Sequence, residues 1–331
     1  ARFIAGEVDA LVDKGRNYSD IAVMYRTNNA SRALEEVFIR AGIPYKVVGG
    51  TRFYERAEIR DIVAYLRVLE NPDDTVSLRR IINTPRRGIG DRAQAFMALH
   101  AENNGMSFGQ ALADAAADKV ALLGARGRNA VVKFNEMMDG IRAEMPSLDI
   151  GELISRILDV TGYREQLELS NDPQDGARLD NLNELVSVAR EFSAEAALRE
   201  GMEELDDAAG DGMDDGQPEP GSLQAFLERV SLVADADQIP DDDRGVVTLM
   251  TLHTAKGLEF PVVFVTGWED GQFPHLRAMG DPKELAEERR LAYVGLTRAR
   301  KRLYISRAQT RSSWGTPQNN PPSRFLGEIP G

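Results

Sequence analysis

The 331-residue sequence has no cysteine, which excludes a disulfide framework, a thiolate metal site and a cysteine nucleophile. No apolar run approaches the ~20 residues with which a helix crosses a bilayer. The opening ARFIAGEVDALVDKG lacks the basic start and long apolar core of a signal peptide and reads instead as an amphipathic helix. It also lacks an initiator methionine, as an internal stretch of a longer chain would. No Gly-Lys pair occurs anywhere, so the phosphate-cradling loop G-x-x-x-x-G-K followed by Ser or Thr is missing. No D-E-x-Q-D acid pair for magnesium is present either. No metal site is therefore expected, and no repeat of fixed period is found.

What is present suits a packed protein. Hydrophobic residues make up 42% of the sequence, ample for a core, and the length predicts two domains. A net charge of −13 taken alone argues against a nucleic-acid binder. Its distribution alters that conclusion. Residues 201–222, GMEELDDAAGDGMDDGQPEPGS, hold eight acidic residues and no basic one. With so little apolar material they read as a disordered acidic loop. Basic residues gather instead at 79–92 and 289–311, and local patches set phosphate contacts. For either patch alone, a solvated basic face is the alternative.

Taken in order, Ala1 to Lys14 is predicted as a helix with Phe3, Ile4, Val8, Leu11 and Val12 on one side. Ile21 to Tyr25 reads as a strand, Asn28 to about Arg40 as a helix opened by capping side chains, and Tyr45 to Val48 as the next strand. That β-α-β succession predicts a parallel sheet. A further helix covers Glu58 to Leu69. From Asp74 to about Arg199 the spacing is helical, broken by Gly, Pro and Asn signals, and another helix runs from Ser222 to about Val233. Val246 to Leu252 and Val262 to Val265 are nearly continuous apolar runs, as in strands buried on both faces. Arg302 to Ser306 is the last predicted strand. Helices enclosed by two α/β portions predict a helical domain inserted into a sheet domain.

Between the two apolar strands lies His253-Thr254-Ala255-Lys256-Gly257-Leu258-Glu259-Phe260. A plain link between core strands needs no such set of imidazole, cation, glycine and carboxylate. Ligands of open α/β sheets gather where loops leave the carboxyl ends of strands, so this loop is the predicted functional centre. LHTAKGLEFPVVFVTGWEDGQFPH, followed by EERRLAYVGLTRARKRLYIS at 287–306, resembles motifs V and VI of the UvrD/PcrA/Rep group of superfamily 1 DNA helicases. FYERAEIRDIVAYLRVLENPDD at 53–74, NTPRRGIGDRA at 83–93 and PPSRFLGEIP at 321–330 resemble that family too. The likeness is weakest in 94–245. Two long motifs in the right order are far more specific than a lone glycine-rich pattern.

The resemblance implies a fold and a set of roles. The fold is α/β: a RecA-like parallel-sheet motor domain in two parts, about 1–74 and 244–331, with an all-helical accessory domain inserted at about 75–243. Arg298, in Gly295-Leu296-Thr297-Arg298-Ala299, would meet the transferring phosphoryl group of ATP. A planar, permanent cation suits that charge; a surface or salt-bridged arginine is the alternative. Glu259 would accept a hydrogen bond from the ribose, and Gly257 would let the backbone approach the nucleotide closely. His253 and Lys256 would lie near single-stranded DNA, although a lone histidine is more often a satisfied structural group.

Other roles implied by the resemblance lie outside that loop. Trp314 would tip a β-hairpin and stack on a base at the duplex junction; a partly buried core tryptophan is the alternative. Arg86, Arg87, Gly88, Ile89 and Gly90 have the shape of a helix-hairpin-helix-like turn. It would hold duplex phosphates on backbone N–H groups and arginines, and a simple helix-start turn is the alternative. Arg52, after a glycine pair, is a further candidate for the single strand. Tyr25-Arg26 imitates the tyrosine–arginine pair with which the family grips nucleotide, but matches a later strand-to-helix junction. Arg26 is therefore given a structural role.

The resemblance thus implies the C-terminal half of a bacterial ATP-dependent 3′–5′ DNA helicase or translocase acting in DNA repair. ATP and Mg2+ would be its cofactors, with the phosphate loop and magnesium ligands in sequence ahead of Ala1. This chain would then carry one wall of an ATP site and be inactive alone. Its partners would be single-stranded DNA, 3′-tailed duplex DNA, the missing N-terminal motor domain and DNA-repair proteins, with no membrane. The setting would be cytoplasmic and nucleoid-associated. A non-catalytic DNA-binding or protein-docking regulatory module is the alternative class. Related nuclease-helicases are a second alternative, but no nuclease-like cluster of carboxylates and lysine is evident.

Overall fold

A computed structural model describes residues 1–206, 217–235, 242–313 and 315–330, the side chains of 203–206 excepted. The chain forms two compact units, one of Ala1–Arg56 with Leu232–Gly331 and one of Ala57–Ser231.

The first unit is built on a five-stranded, wholly parallel sheet. Its elements, numbered along the whole chain, begin with α1 (Arg2–Asp13), β1 (Ile21–Tyr25), α2 (Ser31–Ala41) and β2 (Tyr45–Val47). After the second unit come β3 (Val247–Thr251), β4 (Phe260–Val265), α12 (Pro282–Leu296) and β5 (Ala299–Ile305). The strand order is β2-β3-β1-β4-β5. Strand β3 enters between β1 and β2, pairing Thr248 with Ala22 and Val247 with Tyr45. The two sequence portions therefore interleave in one sheet, and neither could bury its strands alone.

Side chains alternate across the sheet, as the two-residue period of a strand requires. Ile21, Val23, Leu249, Val262 and Phe264 pack with Ile4, Val8 and Leu11 of α1 and Leu34 and Phe38 of α2. On the other face, Met24, Met250, Val263 and Val265 meet Trp268, Phe273, Ala292 and Phe325. Each large apolar side chain so buried stabilises by roughly 1.5–3 kcal/mol relative to exposure. Cover on both faces explains why these strands read as unbroken apolar runs.

Strand β5 starts at Ala299, earlier than the sequence predicts, and Arg300–Leu303 are exposed along it. The register with β4 shifts between Phe260 and Val262, beside Pro261, which has no N–H to offer a ladder. Exposed charge on an edge strand also discourages further pairing.

The second unit is helical among its described residues: α3 (Ala57–Glu70), α4 (Thr75–Ile81), α5 (Asp91–Asn104), α6 (Phe108–Ala116), α7 (Gly124–Glu144), α8 (Ile150–Val160), α9 (Tyr163–Glu168), α10 (Pro173–Asp206) and most of α11 (Leu223–Asp235). Hydrogen bonds tie α3 to this unit. Asp61 accepts from Arg80 of α4 at 2.8 Å and from Tyr163 of α9 at 2.8 Å, and Glu58 accepts from Asn181 of α10 at 2.6 Å. The units accordingly divide at Arg56/Ala57 and Ser231/Leu232, whereas the sequence placed the divisions near 74 and 243. Gly201 to Asp206 continue α10, so helix extends into the stretch expected to be a loop; residues 207–216 lie outside the described residues. Among the described residues no helix is long and apolar enough to cross a membrane.

Candidate functional site

The loop between β3 and β4 does not sit at one edge of the sheet. Strands β3 and β4 are parallel and flank β1, so residues 252–259 start at a carboxyl end and must return to an amino end. The residues expected to act together therefore fall into two groups on opposite edges.

At the amino ends, Gly257, Glu259 and Arg298 come together. Phe260 N–H donates to the Arg298 carbonyl at 3.0 Å, fastening the start of β4 to the start of β5. The Arg298 guanidinium is held by neutral oxygens: Nε donates to Val294 O at 3.0 Å and Nη1 to Leu258 O at 3.3 Å, while Nη2 donates to Thr297 Oγ1 at 3.1 Å. Among the described residues no carboxylate pairs with it. The cation is positioned without being neutralised. Glu259 is exposed, with Arg300 Nε 3.7 Å from its carboxylate and Arg300 Nη2 donating to its carbonyl at 3.4 Å. Gly257 has φ +83, and nothing lies within 4 Å of where a Cβ would be. Backbone conformation, and no crowding by this chain, is what calls for glycine there.

At the carboxyl ends, His253 lies beside a part-buried ion pair. Arg26, directly after β1, grips Glu288 of α12 through Nη2 at 2.6 Å and Nε at 2.8 Å, and His275 N–H donates to the same carboxylate at 2.9 Å. This gives Arg26 a structural partner. Partial burial lowers the His253 pKa from its ordinary value; the Arg26 charge lowers it further and Glu288 opposes. Gly49, at φ +77, closes this edge: a Cβ there would lie 2.7 Å from Thr254 Oγ1. The turn leading to Arg52 therefore packs directly on the His253 loop. Arg52 itself lies 5.2 Å over the Tyr45 ring. Lys256 is exposed on the returning part of the loop.

The remaining predicted residues are elsewhere. Arg86 is exposed in the turn between α4 and α5. Arg87, expected to face phosphate, turns inward: its guanidinium donates to Ile81 O at 2.6 Å, Ile82 O at 3.0 Å and Tyr65 Oη at 2.5 Å, and lies 5.2 Å over Phe134. It satisfies the end of α4, which any helix terminus requires. The Arg87 and Ile89 N–H groups both donate to Asn83 Oδ1, at 2.9 and 3.2 Å, and Ile89 is fully buried. Gly88 has φ +86, and Gly90 precedes the first turn of α5 with no side chain capping it. Trp314 lies outside the described residues. The flanking strands β6 (Arg311–Ser313) and β7 (Thr316–Gln318) form an antiparallel hairpin.

Sequence reasoning passed over Glu269. It is fully buried and accepts from Arg311 Nε at 3.0 Å and Ala308 N–H at 2.7 Å, so it moors the base of that hairpin. An acid directly after Trp268, four residues beyond the apolar run of β4, was the available signal. Glu288 carried a similar one, as an acid on the inward side of an amphipathic helix.

A family model for the UvrD-like helicase C-terminal domain matches residues 1–310. The chain belongs to this family. It is 65% identical over 332 residues to the ATP-dependent DNA helicase UvrD1 of Mycobacterium tuberculosis strain H37Rv, and 61% identical over 335 residues to that of Mycobacterium leprae. The ATP-dependent DNA helicase PcrA of Bacillus subtilis is 42% identical over 337 residues. These alignments cover 99–100% of this chain and 42% of each relative. The chain therefore spans less than half the length of the curated relatives it matches. Among the described residues no group of three His, Cys, Asp or Glu side chains could hold a metal ion. The family's α/β, RecA-like sheet with helical elements is the architecture seen here.

Proposed function

We propose that this chain is the second motor domain and helical accessory domain of an ATP-dependent 3′–5′ DNA helicase or translocase acting in bacterial DNA repair. The observation that carries the proposal is the state of Arg298: a guanidinium fixed by the Val294 and Leu258 carbonyls, with its charge left for an outside anion. A fixed planar cation is what a transferring phosphoryl group requires. Glu259, exposed beside it, suits the hydroxyl donors of a ribose. ATP would thus bind against Gly257, Glu259 and Arg298, which fit its phosphate and sugar. The rest of that site, including the ligands of Mg2+, would come from an N-terminal motor domain outside this chain.

Single-stranded DNA would follow the opposite edge, past Arg52, His253 and Lys256. Helix α12 joins the two edges, with Glu288 near its middle fixing Arg26 and Arg298 just beyond its end. A shift of α12 would move both groups together. Duplex DNA with a 3′ tail would meet Arg86, Gly88 and Gly90, and Trp314 would stack at the junction. The setting would be cytoplasmic and nucleoid-associated, with DNA-repair proteins as partners. The test is hydrolysis: the purified 331-residue chain should show no DNA-stimulated ATP turnover, whereas the full-length protein should. Robust turnover by the isolated chain, with contaminating ATPase excluded, would overturn the divided site.

A further inference from the structure

The Gly88 turn does not stand alone on its surface. A Cβ built on Gly88 would lie 3.9 Å from Cβ of Ala130, and Arg87 lies over Phe134. Helix α7 is therefore packed alongside the turn through Ala130 and Phe134. At about 100° per residue, Arg126 and Lys133 sit on one side of Ala130 and Phe134 on the other. Phe134 is buried, while Arg126 and Lys133 are exposed. The side of α7 carrying those two cations is thus the solvent side, continuous with the turn.

We infer that Arg126 and Lys133 of α7 are a second phosphate-contacting element, extending the duplex-DNA surface of the Arg86–Gly90 turn along one helix face. Neither pairs with a carboxylate among the described residues, in contrast to Arg128, which is 2.9 Å from Asp118. About 10 Å of helix axis separates them, so they would meet different phosphates of one strand. Arg86 and Arg92 of the turn and of α5 are also exposed and add charge of the same sign. Asp91, in the first turn of α5, and Glu136, exposed on α7 three residues beyond Lys133, oppose these four cations and leave the local balance positive. Long flexible cations on a rigid helix give attraction without base reading. The ligand class is therefore duplex DNA of any sequence.

This inference rests on the proposed duplex role of the turn, and the test separates the two. In the full-length protein, binding to a fluorescein-labelled blunt DNA duplex and to single-stranded oligothymidylate is titrated with salt. Variants Arg126→Gln/Lys133→Gln and Arg86→Gln are compared with the parent. Glutamine preserves helix propensity, and the thermal midpoint confirms folding. The α7 pair should weaken duplex binding about fivefold to tenfold per lost contact near 0.1 M salt and flatten the salt slope by roughly one to two units. Single-strand affinity should be unchanged, and Arg126→Lys/Lys133→Arg should bind as the parent does. If Arg86→Gln weakens duplex binding and the α7 pair does not, the inference is overturned while the turn stands. If neither weakens it, the duplex reading of the turn fails with it.

Discussion

The Arg298 guanidinium reaches back forty residues to donate to the Leu258 carbonyl at 3.3 Å. This bond ties motif VI to the end of the motif V loop, and it does so at the amino ends of the strands. Gly257, Glu259 and Arg298 thereby occupy the amino ends of the strands while His253, Arg26 and Glu288 occupy the carboxyl ends. Helix α12 carries Glu288 and ends just before Arg298.

Arg311→Ala should destabilise the protein by about 3 kcal/mol, because it leaves Glu269 buried without its cation. Chemical denaturation of both variants checks this; Arg311→Ala with Glu269→Ala should cost less than the sum of the single changes. In the full-length protein the loosened hairpin should impair strand separation more than ATP hydrolysis. Trp314→Ala should share that pattern without the loss of stability, and Trp314→Phe should retain most unwinding.

Arg86 and Arg87 should differ although they are adjacent. Arg87→Ala removes charge-assisted bonds to the end of α4 and contact with Phe134, and should cost about 2–3 kcal/mol. Arg86→Ala should change stability by less than about 0.5 kcal/mol yet weaken duplex binding. Equal thermal midpoints for the two variants would refute the inward role of Arg87.

The two arginines show what the sequence could and could not disclose. A guanidinium near a glycine turn satisfies helix carbonyls as readily as phosphates, and composition does not distinguish them. Strands β1, β3 and β4 were legible because burial on both faces leaves unbroken apolar runs. The start of β5 was not, since Arg300, Lys301 and Arg302 lie exposed on an edge where no apolar pattern is needed. The apolar face of α3 announced burial without saying against which elements. The motif loop disclosed which residues it carries but not its path. Only the order β3-β1-β4 shows that it crosses from one sheet edge to the other.

The lowered pKa of His253 fixes the sign of a pH effect. In the unfolded chain the imidazole takes its proton near an ordinary histidine value, about 6.5, while the folded chain resists it. Stability should therefore fall as pH drops below that value and rise again towards pH 7. His253→Asn should flatten this dependence, and an NMR titration of the parent should place His253 below an unstructured histidine. A titration above that value would contradict the arrangement of Arg26 beside the ring.

The most direct test of the divided ATP site is single-strand-stimulated ATP turnover by full-length Arg298→Ala. There kcat should fall by about 10³ or more with single-strand affinity nearly unchanged, and Arg298→Lys should recover little because a point charge does not reproduce the planar fork. An Arg298→Ala enzyme turning over ATP near the parent rate would contradict it.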